Sequence, residues 1–172
     1  MNPAIIIKTI ILSTILVIYQ LATIKETKAQ DGCQAAIERV KFDIQGRIGA
    51  VVSNVKRVST IEWKGDGEFM KNYQSPFNNA DEIIVLHLAS HMGRGSITRK
   101  QGQAAENLMN SSRLTREYAE QITSTCGPVA SVKFFYWEWY QGWSLHKNNE
   151  LVEDKCKNPD GSKFYWGENV CL

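Results

Sequence analysis

Past residue 32 the apolar positions first recur at helical spacing. Ile37, Val40 and Ile44 follow Cys33 at intervals of three and four, with Glu38, Arg39, Lys41 and Asp43 between them. This predicts an amphipathic helix that stops near Gly46. Residues 48–58 carry two periods at once. Ile48, Val51, Val55 and Val58 continue the helical spacing, while the density of valine suits a strand, and a strand after Gly46 is the reading adopted. Lys64 to Ala80 holds Gly65-Asp66-Gly67, Ser75-Pro76 and Asn78-Asn79 and reads as loop. Glu82 to Ser90 is a compact apolar run, short enough for a buried strand. A second helix is predicted from about Ala104 to Cys126, with Leu108, Leu114, Tyr118 and Ile122 inward and Gly127-Pro128 as its stop. Val129 to Tyr140 is dense in β-branched and aromatic residues and predicts one strand. Trp143 to His146 and Leu151 to Lys155, flanking Lys147-Asn148-Asn149-Glu150, predict a hairpin. The order suggests an α+β fold: two helices packed on one face of a mostly antiparallel sheet, stabilised by disulfides.

The N-terminus obeys neither period. Met1 to Lys8 is followed by an apolar run from Thr9 to Tyr19 and a more polar stretch to Gln30. This is the layout of a secretory signal, with Thr27 and Ala29 where a peptidase reads small residues. Residues 1–29 are therefore expected to be a signal peptide and 30–172 a single α+β domain, secreted or periplasmic. The competing reading is an uncleaved helix from Ile5 to Ile24 that tethers the protein to the membrane.

Cleavage changes the charge. Taking Lys8, Lys25, Lys28 and Glu26 from 20 basic and 18 acidic residues leaves 17 of each. A neutral domain has no general attraction for polyanions, which argues against nucleic acid as a partner.

All four cysteines, Cys33, Cys126, Cys156 and Cys171, follow the expected cut. An even number in an oxidising compartment favours disulfides, and four cysteines allow three connectivities. Two hints favour Cys33–Cys126 with Cys156–Cys171. Antiparallel packing would bring the start of the first helix to the end of the second, and the turn signal Asn158-Pro159-Asp160-Gly161 lies between the last two. No Cys-x-x-Cys occurs and no histidine lies close to a cysteine in sequence, so no metal or other cofactor is expected.

The aromatic run Phe134-Phe135-Tyr136-Trp137-Glu138-Trp139-Tyr140, with Trp143 beyond it, is the most unusual segment. On one continuous strand Phe135, Trp137 and Trp139 would share a face and Phe134, Tyr136 and Tyr140 the other. If one set packs under the helices, the other presents flat rings to a sugar or a partner protein, and Trp137, Trp139 and Trp143 are the candidate ligand face. The competing reading buries both faces. Catalytic signals are thin: His87 and His91 on a strand would stand too far apart to share a metal, and His87, His91 and Glu138 are the weak acid–base candidates for a small hydrolase. Gly93-Arg94-Gly95 with Arg99 and Lys100 reads as a solvated basic loop. Asn110-Ser111-Ser112 matches the glycosylation pattern of a eukaryotic host.

The layout resembles a group of small uncharacterised exported proteins of cyanobacterial type. The shared features are Cys33 opening a helix, Gly46-Arg47, Leu108-Met109-Asn110-Ser111, Cys126, the aromatic strand, Cys156, Trp166-Gly167 and a terminal Cys171-Leu172. The resemblance implies an exported disulfide-bonded domain and carries no activity with it. The expected function is non-enzymatic binding of a glycan or partner protein.

Overall fold

The computed structural model describes residues 31–64, 75–77, 80–90, 97–137, 139–157 and 165–170. The expected signal segment, the His91 and Gly93–Gly95 region, Glu138 and Cys171 lie outside them. The first helix (α1) is described over residues 31–43 and runs on as a π-helical turn, Ile44–Ile48. It passes through Gly46 and closes at Gly49, whose φ of 85° is left-handed and whose N–H donates to the Ile44 carbonyl at 3.0 Å. Strand β1 (Val52–Ser59), the single-turn helix α2 (Thr60–Lys64) and β2 (Glu82–Leu88) follow. The expected second helix is two helices, α3 (Arg99–Met109) and α4 (Ser112–Thr125). Thr98 and Gln101 form a capping box that starts α3, and the Ser111 hydroxyl accepts from the Leu114 N–H at 3.4 Å to start α4. The chain then forms β3 (Val129–Tyr136), β4 (Trp139–Leu145), β5 (Leu151–Glu153), β6 (Lys155–Lys157) and β7 (Glu168–Val170).

The architecture is α+β. Strands β1 to β5 lie side by side in sequence order, antiparallel throughout except for the central β2–β3 pair. That pair is parallel because α3 and α4 carry the chain back between its two strands. Side chains alternate across the sheet. Ile84, Leu86 and Leu88 of β2, with Val132, Phe134 and Tyr136 of β3, face the core beneath α1, α3 and α4. That core also takes Ile37 and Val40 from α1, Leu108 from α3, and Tyr118 and Ile122 from α4.

Two contacts fix α1 antiparallel to α4. A Cys33–Cys126 disulfide joins the start of one to the end of the other, as the helix-end argument anticipates. Farther along, the Tyr118 hydroxyl donates to Asp43 at 2.6 Å. Burial and this bond push the Tyr118 phenol up to about 12. Cys156 is also disulfide-bonded.

Candidate functional site

The aromatic segment is a hairpin and not one strand. Tyr136 pairs with Trp139, so the chain reverses between them in a two-residue connection that Trp137 opens. Such connections need left-handed backbone, and Trp137 supplies it at φ 57°. A bulky residue in this region costs roughly 1–2 kcal/mol. The reversal redistributes the rings. Phe135 and Tyr140 become cross-strand partners on the sheet face away from the helices, with centroids 6.0 Å apart. Trp143 does not belong to an exposed face. It is 5% exposed in the core, with its indole N–H donating to Thr115 at 3.1 Å and Arg116 5.8 Å above its ring. Trp137 and Trp139 remain open to solvent, at 46% and 52% exposure. The other exposed large rings among the described residues, Phe42 and Tyr165, stand on separate elements.

Beside Trp139 lies an ordered polar group. Gln141, two residues along and on the same face, donates from Nε2 to Ser112 at 3.2 Å and to Glu153 at 2.8 Å. Its amide oxygen lies 3.0 Å from the hydroxyl of Thr115, which is fully buried and also holds Trp143. Ser112 reaches the same Glu153 oxygen at 3.3 Å.

The opposite face of the sheet holds a feature with no sequence signal. Lys133, in the middle of β3, forms an ion pair with Asp154, and both side chains are 0% exposed. The Lys133 ammonium sits 5.6 Å from the ring centres of Trp63 and Tyr140. Trp63 is itself 5.6 Å from Tyr140. His87 ends this row, 5.3 Å from Phe135, with its Nε2 buried and unpartnered among the described residues. Desolvation, reinforced by the Lys56 charge, lowers the His87 pKa below its ordinary 6.5. The unfolded chain therefore binds a proton that the folded one resists, and stability is lost as pH falls below about 6.5. Thermal unfolding at pH 7.5 and 5.0 should show a larger drop for the native chain than for His87→Gln; equal drops would remove His87 as the cause.

A separate groove of about 610 Å³ lies between α4 and the β4–β5 loop, lined by Phe77, Arg116, Glu120, Thr123, Leu145 and Glu150. Arg116 and Glu120 neutralise each other across 2.8 Å.

No family model matches this chain, and neither a curated protein nor a solved structure does. Function must therefore be argued from the site itself. Among the described residues no three His, Cys, Asp or Glu side chains group as a metal site, and no helix is long and apolar enough to cross a membrane. Arg99 is exposed at the start of α3, and Asn110 is exposed between α3 and α4.

Proposed function

We propose that the chain is an exported, disulfide-bonded binding module that holds a glycan on Trp137 and Trp139 at the tip of the β3–β4 hairpin. One observation carries the reading: two tryptophans one residue apart, Trp137 in the hairpin connection and Trp139 at the start of β4, are presented to solvent, and the backbone disfavours the first of them. Folding alone would favour Asn-Gly there. Indole faces stack on the C–H faces of sugar rings, and the amide, hydroxyl and carboxylate beside Trp139 match sugar hydroxyls. Export is supported by the leader-like N-terminus and by disulfides, which persist in oxidising compartments.

Replacing Trp137 or Trp139 by alanine should weaken binding of soluble oligosaccharides by about tenfold or more, read by titration calorimetry. The melting temperature should stay close to native. Trp137→Gly sharpens the test, because it removes the ring while suiting the backbone, and it should lose affinity and gain stability together. Native-level sugar binding in the Trp137→Ala/Trp139→Ala double variant would move the site elsewhere. Pull-down of a protein through the same two rings, with no sugar bound, would replace the glycan by a partner protein.

A further inference from the structure

We infer that Gln141, Ser112 and Glu153 are the hydroxyl-reading half of this site and that the glycan it admits is uncharged; the inference rests on the glycan reading above. Trp139 and Gln141 are alternate residues of β4, so their side chains leave the same face about 7 Å apart, close to the span of one pyranose ring and its substituents. A sugar stacked on Trp139 would therefore lay its edge on the Gln141 amide.

The polar group is held in place before any ligand arrives. Gln141 is fixed at both ends: its Oε1 lies against Thr115, and its Nε2 donates to Ser112 and Glu153. Thr115 is buried and anchored in turn by the Trp143 indole N–H. Surface glutamines ordinarily move through many rotamers, and ordering one costs binding free energy. Here that cost has been met by the fold. Glu153 spends one carboxylate oxygen, Oε1, on both Gln141 and Ser112. No described residue meets the other oxygen, and Glu153 is exposed. An ionised carboxylate only accepts, so that oxygen is placed to take O–H groups from a sugar edge.

The same carboxylate sets the charge preference. Ser112 opens α4, and a helix start is where a ligand anion would otherwise be welcome. Glu153 already occupies that place at 3.3 Å from the Ser112 hydroxyl. A uronic or other acidic sugar would bring a second carboxylate against the first.

The test uses hexamers of β-1,4-linked glucose, mannose, N-acetylglucosamine and glucuronate, titrated into the mature protein and its variants. At least one neutral hexamer should bind in a Trp139-dependent way, with glucuronate at least about tenfold weaker. Glu153→Gln keeps the carbonyl that Gln141 and Ser112 use but removes the charge, and should bring glucuronate within about threefold of the neutral sugar. Gln141→Ala should weaken the neutral hexamer about five- to tenfold, because it removes one acceptor and releases Glu153 and Ser112 from the positions it holds them in. Trp139-dependent binding that Glu153→Gln and Gln141→Ala leave unchanged would overturn this inference alone. Failure of every hexamer to bind through Trp139 would overturn the glycan reading and this inference with it.

Discussion

Lys133→Met should be the most damaging single substitution in the sheet, lowering stability by about 3–5 kcal/mol. The ion pair it breaks is wholly sealed from water, so Asp154 would be left as a buried carboxylate stripped of this cation. At roughly 2–4 °C per kcal/mol for a chain of this size, the melting temperature should fall by about 10–15 °C. Asp154→Asn should cost less than Lys133→Met, because the Lys133 ammonium keeps its contacts with the Trp63 and Tyr140 rings. The apolar double replacement Lys133→Met/Asp154→Leu should recover much of the loss, since a buried pair seldom stabilises more than well-packed side chains. Denaturant unfolding of the three variants checks this. A single Lys133→Met variant within 1 kcal/mol of native would mean that water reaches the pair in solution.

The second large effect concerns Cys33–Cys126, which closes a loop with a sequence separation of 93. On the chain-entropy account, a loop of about 100 residues contributes nearly 4.7 kcal/mol, mostly by restricting the unfolded chain. Cys33→Ala/Cys126→Ala should therefore lose about 4 kcal/mol, measured as a lowered denaturant midpoint at unchanged slope. Helix α1 should stay docked near Ile44, because the Tyr118–Asp43 hydrogen bond lies at the far end of the helix pair. A loss below 1 kcal/mol would show that the reduced chain already holds the two helix ends together.

This disulfide was legible in the sequence for a concrete reason. Cys33 opens one amphipathic pattern and Cys126 closes another, and helices on a common sheet face bring such ends together. Strand β2 was equally legible, as a short apolar run with no helical gaps. The break between α3 and α4 was not, since Leu108, Leu114, Tyr118 and Ile122 read as one continuing face. Its local signal, Ser111, is a capping residue with no effect on hydrophobic period. Gly46 looked like a helix stop, yet the π-helical turn carried the helix on to Gly49. The hairpin tip was hidden because tryptophan stands where asparagine or glycine normally announces the turn. With the turn unread, Trp139 and Tyr140 were assigned to the wrong faces, and Trp143, which the helix layer covers, looked like part of the site. The Lys133–Asp154 pair had no readable signal. A lysine between apolar strand residues reads as solvent-facing, and a partner 21 residues away shares no periodic relation with it.

The parallel pairing of β2 with β3 bears on how this chain reaches its native state. β1–β2 and β3–β4–β5 can each zip up locally, but joining the two halves requires closing the connection that carries α3 and α4. Such long-range closure is slow. Until it happens, Ile83–Leu86 and Val129–Phe134 are two apolar strand edges with no neighbour, each a template for another chain. Overproduction should thus fail by aggregation at this seam, and a chaperone that shields those edges would raise the yield more than one that accelerates disulfide formation.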